Sequence, residues 1–583
     1  MSKLNINATL LACLISLIGY SQSINYQPDS SQIDRRVREY VSPTRIVWQS
    51  DQHDKTIINS HALLKPGNGQ ADLEGRNLCQ LIGEEGNNPA ILLDFGKELH
   101  GGLQLVTGMF EGKDPIHVRV ILGESVSEAM SPIAGSTATN DHALREFTLA
   151  LPWLGKIEIG NSGFRFAKIE LLDADRQLKL KEVRAISIYR DLPYVGTFRS
   201  NDERLNEIWS TGAYTVHLNM QDYLWDGIKR DRLVWVGDMH PEVRTIFSVF
   251  GYHDIVPKSL DLIQEITHLP DWMNGISSYS MWWIILQHEW YLQYGDRQYL
   301  EKHQDYVFGL LDVLKQKIDK DGKEILDGHR FLDWPTSTNK EAIHAGLQAL
   351  MVMTFNAGAA LAEIMDEKER WMEYKAISQQ LKQHVPDPNG NKSAAALLAL
   401  SGLKDAKEVN RQVLAVDPTQ NVSTFYGYYV LEARAMAGDY EGAMEVIRKY
   451  WGGMLDLGAT TFWEDFNLDW AKNAGRIDEI TPEGKADIHG DFGDYCYVGL
   501  RHSLCHGWAS GPTSWLSKHV LGIEVLEAAC KKVRVSPHLG DLKWVEGSYP
   551  TPYGPIRVKH IKLADGKVES IIIAPDEVEI IRQ

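Results

Sequence analysis

Cysteine is scarce in this chain: five residues in 583, at Cys13, Cys79, Cys496, Cys505 and Cys530. That density excludes a scaffold built on disulfides. No CxxC pair and no cluster with zinc-ligand spacing occurs, so no metal ligands are assigned. Cys496 and Cys505 are near enough in sequence to pair, with two core thiols as the simpler reading. Positive charge is also short, with 60 Lys and Arg against 78 Asp and Glu and a formal charge of -18. A nucleic-acid binder presents a basic face, so no nucleic-acid partner is expected. Beyond the N-terminal segment no stretch reaches about 18 uncharged apolar residues, and no membrane-spanning segment is expected. Gly-x-Ser-x-Gly is missing, which weakens any nucleophilic role for Ser503 or Cys505. No internal repeat is visible, which counts against a simple helical solenoid.

What is present points elsewhere. The length is about four times a ~150-residue domain, so several cores are expected. Tryptophan is abundant: 17 residues, fourteen of them between Trp209 and Trp515. They form either a large aromatic core or a pocket with exposed ring faces, as a sugar site needs. Residues 1–23 read as an export signal: Lys3, then the apolar run Ala8 to Tyr20, then small Ser21 and Ser23. A secreted or periplasmic protein is expected. A cell-surface lipoprotein is the alternative, because Leu10-Leu11-Ala12-Cys13 resembles a lipidation box, although the apolar run continues past it.

The remainder divides by periodicity. Residues 24–197 carry short apolar runs punctuated by Gly and Pro, such as Ala90 to Phe95, His117 to Leu122 and Val183 to Tyr189, and predict an N-terminal β-sandwich. Residues 198–530 have a period near 3.6. Helices are expected over 203–218, 240–251, 279–293, 297–319, 342–364, 366–383, 392–401, 423–437, 440–450, 500–508 and 512–529, with another near 404–415. About twelve helices suggest six hairpins closed into an (α/α)6 toroid, with long loops rich in Trp and carboxylates at one end as the place for a site. Residues 531–583 return to short strands and predict a small C-terminal β-sandwich domain packed on the helices.

Three segments concentrate chemistry. The first runs from Trp225 to Asp238 and holds Asp226, Arg230, Asp231, Trp235 and Asp238. Gly227 and Gly237 argue for a loop. A surface ion network is the plain alternative, but such networks do not need two Trp. The second is Gly458 to Phe466, where Glu464 stands beside Trp463. Aromatic neighbours strip water from a carboxylate and favour its neutral form, which suits a general acid or base. A capping or salt-bridged Glu is the alternative. The third is His502 to Pro512, with His506 and Trp508. Two smaller pieces, Asp271-Trp272 and Asp333-Trp334, each pair an acid with an indole. A carboxylate accepts sugar hydroxyls and a ring covers a CH face, or the indole simply donates to the acid within the core.

In these segments the chain resembles the alpha-L-rhamnosidases of glycoside hydrolase family 78, in a compact form, over roughly residues 90 to 583. DGIKRDRLVWVGD from Asp226, GATTFWE from Gly458, SLCHGWASGP from Ser503, GFRFAKIEL from Gly163 and GDLKWVEGSYPTPYGPIRV from Gly540 occur in the family's order. The resemblance implies an inverting exo-glycosidase with an (α/α)6 barrel that releases terminal alpha-L-rhamnose and needs no organic cofactor. It places Asp231 as general acid and Glu464 as general base. It puts Asp226 and Asp238 on the terminal sugar and His506 near the pocket. Arg230, Trp235, Trp272, Asp333, Trp334, Trp463 and Trp508 complete the expected binding set. The family usually carries Glu where Asp231 stands, so the carboxyl is drawn back by about one methylene. The same fold acting on another deoxyhexose or a uronate-linked residue, a weakly catalytic carbohydrate-binding protein, and a polysaccharide lyase are the competing readings. A carbohydrate is the partner expected, and no mark of oligomeric state is visible.

Overall fold

The computed structural model describes residues 33–53, 55–112, 114–133 and 145–582. The expected export signal, with Cys13, lies outside the described residues. The described residues up to Arg36 fall in one unit, in which Arg36 pairs with Asp34 at 2.8 Å, and those from Val37 onward fall in a second.

In the second unit the N-terminal strands build a nine-stranded sheet whose pairings are antiparallel. Three long strands carry it: Ala90–Thr107, Lys156–Leu171 and Gln177–Tyr189. The short run expected at Ala90 to Phe95 is only the start of the first. Gly96 and Gly101 do not end that strand. They sit at φ 88° and 143°, where the register with the Lys156–Leu171 strand shifts. Bulges at glycine bend a long strand so that it can serve two neighbours in succession. Ile91, Leu93, Leu103, Val120, Phe164 and Ile169 fill the core beneath it.

The central segment is a toroid-like assembly of paired helices. It opens with Glu203–Asn219, capped by the Asp202 carboxylate on the amides of Arg204 and Leu205. Met239–Val249, Ser277–Tyr294, Lys340–Ile364, Lys368–Leu381, Lys392–Leu400 and Gly427–Met436 lie close to the expected spans. Lys340–Ile364 is long and apolar enough to cross a membrane, but most of it is buried in this domain.

Four expectations are corrected. The helix expected over 297–319 breaks at His303, which binds Asp261 at 2.8 Å. Ile255–Ile266 is an additional helix. Its Pro257 lies in the first turn, where no intrahelical N–H is required. The span 512–529 stops being helical at Val520, and Gly522 at φ 74° turns the chain into the strand Ile523–Val525. The span 500–508 is not a helix. Its backbone bonds across to other loops: Glu464 N to Ser503 O at 3.0 Å, His506 N to Phe462 O at 2.9 Å and Gly507 N to Asp226 O at 2.8 Å. These bonds use the groups a helix would pair internally.

The C-terminal region is a four-stranded sheet, Thr197–Ser200, Trp544–Tyr549, Ile556–Lys562 and Val568–Ile573, beside a three-stranded one, Ile523–Val525, Lys532–Val535 and Glu579–Arg582. Both reach outside the span expected for this domain. Thr197–Ser200, the exit from the N-terminal sheet, is an edge strand of the first, and Ile523–Val525 precedes the expected start at 531. Val533, Val545 and Ile556 belong to the same apolar cluster as the helices, so this region shares the helical domain's core.

The N-terminal sheet also supports the loop that leaves the first helix. Gly163 N donates to Ile228 O at 3.0 Å, and a Cβ at Gly163 would stand 2.7 Å from Ile228 Cγ1 and 3.1 Å from the Lys229 nitrogen. Gly163→Val should therefore push the loop off the sheet, at a cost of about 1–3 kcal/mol. A lower Tm by calorimetry is the expected result.

Candidate functional site

The loop from Met220 to Asp238 is closed by its own acids. Asp226 N donates to Leu233 O at 3.1 Å, and Leu233 N donates back to the Asp226 side chain at 3.0 Å. Asn274 clamps the second half, accepting from Val236 N at 3.1 Å and donating to Val234 O at 3.0 Å. Gly237 packs on the Tyr279 ring so closely that a Cβ would fall 2.2 Å from it. This contact brings the Tyr279 hydroxyl to Asp238, to which it donates at 2.6 Å. Between the clamps, Asp231 and Arg232 take left-handed backbone at φ 57° and 51°.

Glu464 reaches the same place from its own loop. Its backbone is pinned by Ser503 and Trp508: Glu464 N donates to Ser503 O at 3.0 Å, and Trp508 Nε1 donates to Glu464 O at 2.9 Å. Its side chain faces Arg230 in a two-pronged ion pair, Nε to Oε2 at 3.1 Å and Nη2 to Oε1. Ser503 N adds a bond to Oε2 at 3.2 Å.

His506 stands among three carboxylates. Its Nε2 lies 3.7 Å from Asp226 Oδ2, 4.0 Å from Asp238 Oδ2 and 3.6 Å from Glu464 Oε1. These are ion-pair distances, too long for hydrogen bonds. The His506 ring leans on Trp508, with centroids 4.2 Å apart.

Together these groups line one cavity of about 210 Å³ with Trp235, Ile276, Tyr279, His329, Phe331 and Trp334. That is smaller than the ~300 Å³ lower bound of drug-sized sites and suits a single sugar ring. A cavity of about 340 Å³ beside Glu432, Lys518 and His538 is larger, but it draws no constellation of this kind together.

The electrostatics separate the acids. Burial pushes Glu464 up, but the Arg230 charge, His506 and the hydrogen bonds from Arg230 overcome it and hold Glu464 down at about 2. Glu464 is therefore ionised, contrary to the neutral form its aromatic neighbours suggested. Burial raises Asp226 to about 6, with His506 opposing, and Asp238 to about 8, with His506 and the Tyr279 hydroxyl opposing. Burial pulls His506 down, but its carboxylate neighbours, Asp226 first, leave it raised. The cavity thus holds an ionised carboxylate at Glu464, an imidazole whose carboxylate neighbours favour its charged form, and two raised acids, of which Asp238 retains its proton near neutral pH.

Of the expected residues, Asp226, Arg230, Asp231, Trp235, Asp238, Trp334, Glu464, His506 and Trp508 meet at this cavity. Trp272, Asp333 and Trp463 do not line it. Trp272 Nε1 donates to Asp327 at 2.9 Å, away from the acids. Asp333 is buried and used up by Thr336, Ser393 and Ser423, the last two at 2.8 Å. Trp463 is buried against Phe466 and His502. Tyr279, Ile276, His329, Phe331, Cys496 and Arg501 were missed. Tyr279 and Ile276 flank the start of an expected helix, where end residues face the loops, and that position was the available signal. Cys496 and Cys505 are both free thiols, as are Cys79 and Cys530.

The family of the bacterial alpha-L-rhamnosidase 6 hairpin glycosidase domain matches residues 193–388, and that of the bacterial alpha-L-rhamnosidase C-terminal domain matches residues 522–580. Two separate stretches of the chain thus match rhamnosidase-type domains, one in the helical segment and one in the C-terminal sheets. An alpha-L-rhamnosidase of Alteromonas sp. (strain LOR) is 25% identical over 457 residues, 70% of this chain and 47% of that one. An alpha-L-rhamnosidase of Formosa agariphila is 21% identical over 72% of this chain and 47% of its own length. The chain thus spans about half the length of these relatives. Its fold is similar to a GH78 family rhamnosidase of Bacillus sp. GL1, with TM-score 0.72, 21% identity and 90% of this chain but 55% of that one covered. A Klebsiella oxytoca rhamnosidase with rhamnose bound gives TM-score 0.65 at 19% identity, covering 83% of this chain and 96% of its own. In this chain the cavity is formed by the loops that join the helices, together with the helix start at Ile276 and Tyr279.

The raised acids set a stability signature. Asp226 and Asp238 have folded values above the ordinary carboxylate range, so their contribution is full below about pH 4 and is lost as pH rises through about 6 and about 8. Glu464 acts oppositely, and its contribution is lost only as pH falls toward about 2. Asp238→Asn keeps an acceptor for Tyr279 but removes the charge. Its Tm relative to the unsubstituted chain should be higher at pH 9 than at pH 5, and scanning calorimetry at the two pH values checks this.

Proposed function

We propose that this chain is an inverting exo-glycosidase that releases terminal alpha-L-rhamnose from glycans or glycosides. The observation that carries the reading is the meeting, in one sugar-sized cavity, of two carboxylate groups from distant segments with an imidazole and indole walls. Asp226 and Asp238 accept or share hydrogens with the hydroxyls of the terminal sugar, and Trp235, Trp334 and Trp508 cover its CH faces. Ile276 and Phe331 give an apolar seat that suits the methyl group of a 6-deoxyhexose better than a hydroxymethyl.

In the reaction, Asp231 protonates the leaving oxygen while Glu464 takes a proton from water attacking the anomeric carbon on the opposite face. The ionised state of Glu464 fits a base. Arg230 orients that carboxylate and lies 3.5 Å from Asp231 Oδ1. It thereby links the two groups. The left-handed backbone at Asp231 also supports Asp in place of the family's Glu, because Asp tolerates that conformation better than longer side chains. The rhamnose named for the Klebsiella oxytoca structure and the activity named for the two sequence relatives point the same way.

The test is release of p-nitrophenol from a panel of aryl glycosides. The alpha-L-rhamnoside should be the preferred substrate. Asp231→Asn and Glu464→Gln should each lower kcat by about 10²–10⁴-fold with the fold intact by circular dichroism. Preference for another sugar would move the substrate assignment, and full activity in either variant would remove the assigned roles.

A further inference from the structure

Lys229, the chain neighbour of Arg230, is buried at 1% exposure and, unlike Arg230, does not line the cavity. Its Nζ lies 3.1 Å from Glu124 Oε2 and 3.3 Å from Glu128 Oε1, and it donates to the carbonyls of Leu500 and His502. Both glutamates are fully buried. Glu124 follows the strand Ile116–Gly123, and Glu128 lies in the helix Val126–Met130 that comes next. Ligand atoms of Glu124, Glu128 and His489 all fall within 4.8 Å of one another, close enough to face a single cation. The Lys229 ammonium ion occupies that neighbourhood and supplies the positive charge the acids need.

The same acids lead to the cavity. Glu124 Oε2 accepts from Leu504 N at 2.6 Å, and its other oxygen accepts from Ser503 Oγ at 3.4 Å. Ser503 N in turn donates to Glu464 Oε2 at 3.2 Å. Glu464 is thus held from two sides by residues adjoining this cluster: Arg230, next to Lys229, and Ser503, next to Leu504. Ser125 ties in the last element through His489, Oγ to Nδ1 at 2.7 Å.

We propose that Lys229, with Glu124 and Glu128, is a positioning centre: a built-in cation seated where a metal ion would otherwise bridge three elements, through which the N-terminal sheet fixes the orientation of Glu464. None of the three touches the cavity, so they act through Arg230 and Ser503. The inference rests on the glycosidase reading for its kinetic arm only.

In the full chain, Lys229→Met keeps the bulk and removes the charge. Displacement of Glu464 by a fraction of an ångström to about 1 Å should lower kcat by about 10- to 100-fold, with KM within about twofold. Should Lys229→Met not fold, Glu124→Gln, which keeps an oxygen for Leu504 N, should show the same split. A seat arm needs no turnover. Lys229→Ala should bind one Zn²⁺ in isothermal titration calorimetry, with a rise in Tm, whereas the unsubstituted chain should not, and Lys229→Ala/His489→Ala should lose the effect. Unchanged kcat in a folded Lys229→Met or Glu124→Gln chain would overturn the positioning role. Absence of Zn²⁺ binding by folded Lys229→Ala would overturn the cation seat. No turnover of any glycoside by the unsubstituted chain would instead count against the glycosidase reading, leaving the Zn²⁺ arm to decide the seat.

Discussion

The buried ion pair between Arg230 and Glu464 is the contact on which the site depends. Both side chains are almost inaccessible, with 5% and 3% exposure. Taking two charges out of water is costly, and the cost is offset only when the geometry is good and the remaining hydrogen-bonding capacity is filled. Here the guanidinium meets the carboxylate on two prongs, and Ser503 N takes a third position. Removing one partner would strand the other, a loss of about 3–5 kcal/mol for a buried pair. The pair also joins two segments distant in sequence, so the loop carrying Asp231 and the loop carrying Glu464 are held in one register by the contact that keeps Glu464 ionised.

Around that pair the protein concentrates acids that weaken the fold. Asp226 and Asp238 share the His506 charge, and Glu242, one turn beyond Asp238 on its helix, is buried and raised well above the usual range, by desolvation first and by Asp238 and Asp226 second. A structure selected for stability alone would bury apolar groups there. Retention of protonated and charged acids around a small cavity is the usual trade of stability for function. The aromatic walls limit water, which strengthens each of these interactions. The N-terminal sheet takes part as well, since Gly163 gives the loop a bed and Glu124, just past one of its strands, accepts from the Leu504 amide and the Ser503 hydroxyl.

Much of this was legible in the chain itself. Helix spans followed from a period near 3.6, and Gly227 with Gly237 correctly denied a helix to the segment around Asp231. Nine of the twelve expected site residues line the cavity, because their motifs are compact and each is held by one loop. The failures have a common physical cause: long-range pairing overrides local preference. Residues 500–508 look helical until Phe462, Glu464 and Asp226 claim their backbone groups. Ala90 to Phe95 looks like a short strand until bulges extend it. Trp272 and Asp333 look like sugar contacts until Asp327 and Ser393 engage them. Glu464 looked neutral because its aromatic neighbours are adjacent in sequence, whereas Arg230, which ionises it, is not. The Lys229 cluster draws on four separated segments and had no local mark.

The central claim is that Asp231 and Glu464 act as acid and base on opposite faces of the sugar, with no covalent intermediate. Proton NMR of the first turnovers of an alpha-L-rhamnoside tests it most directly, by the anomeric signal that appears before mutarotation. The account predicts that beta-L-rhamnose forms first and the alpha anomer grows in later. Alpha-L-rhamnose as the first product would show net retention and would contradict it.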